Sequence, residues 1–96
     1  MLKTKTEKVF NVDLIKEFKF ISIETERGLI FSGRIKGVYE KMITFKDRGF
    51  LWELKLDNFR LVQDTLTSRN QEKYKAKNIR VIDKELDKKL YWECKS

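Results

Sequence analysis

Lys73, Lys75 and Lys77 recur at every second position around Tyr74, and Arg80 follows in the same polar stretch. In an extended chain, residues two apart project from one side. Cations so arranged match a run of backbone phosphates, and a neighbouring tyrosine offers a ring on which a base can stack. A second basic group, Arg34, Lys36, Lys41, Lys46 and Arg48, lies earlier in the chain beside Tyr39. The chemistry such a set performs is charge neutralisation with release of counterions, so its binding weakens steeply with salt. The plain alternative for residues 69–80 is a solvated helix or loop surface.

Catalytic chemistry lacks its usual means. The chain has no histidine, the side chain most easily tuned to exchange protons near neutrality. Cys94 is the single thiol and has no histidine to activate it. Zinc would lack its customary ligands. No glycine-rich phosphate loop is present, because neither Gly28 nor the Gly33–Gly37 stretch is followed by Lys-Ser. Glu24, Glu26, Asp47, Asp57 and Asp64 are scattered among basic neighbours and read as turn residues and solvated charges. The sequence therefore predicts a protein that is not an enzyme and needs neither cofactor nor metal.

The charge balance agrees with a polyanionic partner. Lys and Arg total 22 against 15 acidic residues, a net charge of +7. The surplus is uneven: residues 21–65 carry eight basic and seven acidic groups, whereas residues 66–96 carry nine and five. Ninety-six residues, 41% of them hydrophobic, suffice for one domain with a modest core. No apolar run spans a bilayer, and residues 1–5 do not lead into a secretory signal, so the expected location is the cytoplasm, away from membranes. One cysteine fits a reducing compartment. The Lys-, Ile- and Phe-rich vocabulary points toward an AT-rich bacterial, plasmid or phage genome.

The elements that must position these side chains are short strands. Residues 1–11 read as a polar arm. Asp13 can cap a brief helix with Leu14, Ile15 and Phe18 on one face. Ile21 and Ile23 alternate with Phe20, Ser22 and Glu24, and Thr25-Glu26-Arg27-Gly28 makes a hairpin turn. The strand over 29–39 is long, and Gly33 and Gly37 within it mark sharp bends, with the inward face moving to Val38 beyond Gly37. Residues 42–46 form a third strand, Asp47-Arg48-Gly49 a tight turn, residues 50–56 a fourth strand, and Phe59, Leu61 and Val62 begin a fifth. Phe31, Phe45, Phe50, Trp52 and Phe59 would fill the interior. Residues 65–78 show no apolar repeat and read as helix or loop, residues 78–83 as a strand. The final segment fits a helix through Ile82, Leu86 and Leu90, or a hairpin through Leu90, Trp92 and Cys94.

The run Leu14-Ile15, Phe18, Ile21, Ile23, Gly28, Phe31, Gly33, Ile35, Val38 and Met42 resembles the first signature of Sm-like proteins, the group that includes the Hfq-type RNA chaperones. The likeness covers roughly residues 14–63 and implies an Sm-like or related barrel. The family's acidic and asparagine positions fall on Tyr39 and Ile43, its base-stacking position on Lys41, and Asp57-Asn58-Phe59-Arg60 stands where an Arg-Gly pair is usual.

The expected fold is mainly β: a small five-stranded bent-sheet barrel of Sm-like or SH3-like type, with a short N-terminal helix and a C-terminal helix or hairpin extension. Residues 1–96 form a single domain, 14–63 the barrel core and 64–96 a basic extension packed on it. The expected function is binding of nucleic acid, RNA more than DNA, through Arg34, Lys36, Tyr39, Lys41, Arg48, Lys73, Tyr74, Lys75, Lys77 and Arg80, in a regulatory role. The alternative is a phage- or plasmid-type accessory protein that binds and modulates a partner protein, or pairs with itself, through a strand edge or Tyr91 and Trp92.

Overall fold

The computed structural model describes residues 10–64 and 73–94. Asn11 caps the single helical turn, α1 (Val12–Ile15), by accepting the Asp13 N–H at 2.9 Å, so the cap lies two residues before the one expected. Ile15 and Phe18 are buried beneath it, while Leu14 points outward. Seven strands follow: β1 (Phe20–Thr25), β2 (Ile30–Tyr39), β3 (Met42–Asp47), β4 (Phe50–Lys55), β5 (Arg60–Asp64), β6 (Lys73–Asp83) and β7 (Lys88–Glu93). The arm expected over residues 1–11 falls almost entirely outside the described residues, as do residues 65–72 of the segment read as helix or loop.

Each strand pairs antiparallel with the next, and β6 returns to pair with β1, which closes β1–β6 into a six-stranded barrel. Closure depends on the length of β6. One of its edges carries β1 from Phe20 to Thr25; the other is shared, with β5 against residues 73–75 and β7 against residues 78–83. Five strands were thus too few, and the segment beyond residue 78 is a β-hairpin rather than a helix. Asp83, itself buried, turns that hairpin by accepting the Glu85 and Leu86 N–H groups at 3.0 and 3.3 Å.

Inward positions alternate as a half-buried sheet requires. Ile21, Ile23, Ile43, Phe45, Leu54, Leu61, Ile79 and Val81 are sealed from solvent. In β2 the alternation is interrupted: Ile35 opposes Phe45 and Gly37 opposes Thr44, so Lys36 is an extra residue, and the inward face passes to Val38 as a bulge demands. Gly33 is where β2 crosses closest to β3. A Cβ there would land on the Lys46 carbonyl, 2.7 Å from its carbon.

Two aromatic clusters plug the ends. Phe10 packs edge-on against Trp92 and Phe59, with centroids 4.9 and 5.4 Å away, beneath the β6–β7 hairpin. At the opposite mouth, Phe31 meets Trp52 and Tyr74 at 4.6 and 5.1 Å. Phe50, expected among the interior aromatics, is half exposed because it follows the Arg48-Gly49 turn at the rim.

Candidate nucleic-acid interface

Strand register, more than sequence proximity, decides which cations become neighbours. Tyr39 opposes Met42, Met42 opposes Lys55, Lys55 opposes Arg60, and Arg60 opposes Lys75. These five residues form one continuous row across β2 to β6. All face outward, because their strand neighbours Val38, Ile43, Leu54, Leu61 and Ala76 pack into the core. Directly opposed side chains have Cβ atoms about 5 Å apart, and like charges so placed destabilise a sheet. Lys55 is partly balanced by Glu53, with Nζ 3.2 Å from Oε1, and lies 3.9 Å from the Met42 sulfur. Arg60 and Lys75 take part in no ion pair among the described residues. Such a row has a natural counterpart in an external anion.

The row has flanks. Lys41, in the turn after Tyr39, accepts the Leu56 N–H on its carbonyl at 3.0 Å, which ties that exposed lysine beside Lys55. Lys77, also exposed, lies two residues beyond Lys75, where β6 shifts register against β1. The Tyr39 ring is held against the backbone of Gly37, where a Cβ would come within 2.7 Å of it, and stays more than half exposed. Glu40 and Asp57 are acidic groups in the adjoining turns.

The structure therefore gathers Tyr39, Lys41, Lys75 and Lys77 from the sequence-derived set and adds Lys55 and Arg60, which sequence reasoning missed. A signal existed for both. Four residues separate them across the Asp57-Asn58 turn, and a four-residue hairpin loop places its flanking residues opposite each other. Lys73 is a β6 residue opposite Val62, with its side chain outside the described residues.

The other members go elsewhere. Lys36 projects from the β2 bulge toward the α1 side. Arg34 and Arg80 share a separate face over β2, β1, β6 and β7, where Arg34 and Lys84 approach the Phe20 ring at 5.7 and 5.6 Å and Arg80 approaches Tyr91 at 5.9 Å. These cations already have aromatic partners. Tyr74 faces the interior, against Phe31 and Trp52, and does not share the outward side of its lysine neighbours. Arg48 sits at the same mouth as Tyr74, beside a cleft of about 440 Å³. Tyr91 is half exposed, but Trp92 is 4% exposed and belongs to the core, so the two do not form a common surface patch. Alternation across β7 separates them.

The comparisons with known proteins are negative. The chain matches no family model, no curated protein and no solved structure. Geometry thus carries the functional reading. Among the described residues, no helix is long and apolar enough to cross a membrane.

Cys94 is half-buried against the core, its N–H donating to the Lys77 carbonyl at 2.7 Å. Burial pushes its thiol from the ordinary 9.0 up to about 11. The rate of alkylation of the folded protein by iodoacetamide should therefore rise with pH to a midpoint near 11, whereas the urea-unfolded chain has its midpoint near 9. A midpoint near 9 in the folded protein would contradict this environment. Because the folded pKa is the higher one, the thiol's contribution to stability is complete below pH 9 and is lost as pH rises toward 11.

Proposed function

We propose that the protein is a non-catalytic, cytosolic nucleic-acid-binding barrel that takes single-stranded RNA in preference to DNA, in a regulatory role. The observation that carries this reading is the row Tyr39–Met42–Lys55–Arg60–Lys75, which sets three cations and an exposed ring in line across five strands. The cations neutralise successive phosphates, Lys41 and Lys77 extend the track, and Tyr39 stacks on a base. The Sm-like spacing of Gly28, Phe31, Gly33, Ile35 and Val38 supports a related barrel ancestry.

Fluorescence anisotropy of a labelled single-stranded RNA, titrated at several salt concentrations, tests the reading. Four to five phosphate contacts predict a slope of log K against log salt of about −3. Absence of binding at low salt would reject it.

A second reading, an accessory protein that engages a partner protein, draws on β7. Among the described residues its outer edge has no strand beside it, and Tyr91 is exposed there.

A further inference from the structure

Opposite the α1 end, the barrel mouth opens into a cleft of about 440 Å³, ample for a small ligand. Its floor is aromatic: Phe31, Trp52 and Tyr74, with ring centroids 4.6 to 6.2 Å apart. Leu29, Ile30 and Phe50 stand half exposed around the rim, an apolar collar that the proposed strand track does not use. Apolar walls alone would accept many ligands, and the polar groups narrow the choice.

Asp47 lines the cleft, and its side chain is 10% exposed. Its Oδ2 accepts the Ser32 N–H at 3.2 Å, but its Oδ1 has only a long 3.8 Å approach from Arg48 Nε. That oxygen keeps access to the cleft and can accept from a donor that a ligand brings. Two arginines flank the opening: Arg48, exposed in the turn after Asp47, and Arg27, whose guanidinium stands 5.9 Å over the Tyr74 ring. Together they repel an organic cation and attract an anion. The ligand that satisfies all three features has a flat aromatic ring, hydrogen-bond donors on one edge, and a negative charge on a short tether.

We infer that this cleft binds a nucleotide, with guanine as the base, presented either as the free mononucleotide or at the end of a strand. Guanine carries adjacent N1–H and N2–H donors for Asp47 Oδ1, adenine has a single exocyclic amino group to offer, and the phosphate meets Arg48 and Arg27. The inference deepens the strand-binding reading by assigning a base-selective pocket that lies about 17 Å along β4 from Lys55, five residues away.

The test is a titration of the full-length ¹⁵N-labelled protein with GMP and separately with AMP, CMP and UMP, followed by amide and indole N–H resonances. GMP should shift the signals of Phe50, Gln63 and the Trp52 indole saturably, and the other three nucleotides should bind at least about tenfold more weakly, as expected when a charged acceptor loses its matched donors. Asp47→Asn should weaken GMP binding about tenfold or more, by the same loss of a charge-assisted bond. Phe50→Ala and Arg48→Ala change exposed side chains that do not support the core, and each should also weaken GMP. No saturable shift up to millimolar GMP, equal binding of all four nucleotides, or unaltered affinity in the Phe50→Ala and Arg48→Ala proteins would each overturn the inference. GMP is too short to span the cationic row, so it reports on the cleft alone. Failure of RNA binding with intact GMP binding would reject the row only, and the reverse would reject the cleft only. Displacement of GMP by an RNA beginning with guanosine assigns the site to strand ends, and its absence assigns it to the free nucleotide.

Discussion

Gly33→Val should leave the barrel largely unfolded at room temperature or lower its melting temperature by about 15 °C, a loss of roughly 3 kcal/mol at some 4–8 °C per kcal/mol for a domain of this size. The reason is backbone against backbone. The first carbon of any side chain at residue 33 would fall on the Lys46 carbonyl, with the carbonyl carbon 2.7 Å away, and neither a rotamer change nor a neighbouring side chain can relieve it. Relief requires β2 to move away from β3 at Arg34↔Lys46, next to the bulge that turns β2 around the corner. Gly33→Ala should show most of the same loss, because the clash already involves the Cβ. Gly28→Ala is the control: its Cβ would meet nothing within 4 Å, so the cost is only that of an alanine at φ +84°, about 1–2 kcal/mol. Equal melting curves for Gly33→Val and the wild type would show that the two strands do not approach as closely as this geometry requires.

The irregularity beside Gly37 was legible because a glycine inside an apolar-alternating run has few other uses, and so was the shift of the inward face to Val38. The alternation of Ile21 with Ile23 and of Trp52 with Leu54 likewise fixed which side of each strand is core. What escaped was barrel closure. Tyr74 and Ala76 point inward, as do Ile79 and Val81, but the register shift after Ala76 moves the inward phase from even to odd positions. A reader of periodicity sees two short fragments and no strand of eleven residues. The last segment was ambiguous for another reason: Leu86 and Leu90 supplied a helical spacing, yet Leu86 is exposed at the hairpin turn, whereas Leu90, Trp92 and Cys94 pack. The interface was half legible. Lysine spacing within 73–77 could be read directly, but adjacency across strands depends on register, which placed Lys75 beside Arg60 and sent Arg34 and Arg80 to another face.

That dependence on register makes the row testable as a unit. Lys55→Glu, Arg60→Glu and Lys75→Glu combined should weaken single-stranded RNA binding at low salt by about a hundredfold or more and reduce the salt slope by about 2, since each lost phosphate contact removes about 0.7. The fold should survive, because all three side chains face outward; three opposed carboxylates replace three opposed cations, and the one added repulsion, between residue 55 and Glu53, is at the surface. Lys55 will yield least when changed alone, as Glu53 at 3.2 Å already draws part of its charge. Arg60→Glu and Lys75→Glu should each have a larger effect. The comparison protein is Arg34→Glu, Arg80→Glu and Lys89→Glu, which alters net charge equally on the β1–β2–β6–β7 face. If RNA binding followed total charge alone, both triple variants would fall together with similar slopes. A selective fall in the Lys55, Arg60 and Lys75 variant locates the phosphate track on β4, β5 and β6, whereas unchanged binding there would remove the basis for a nucleic-acid role.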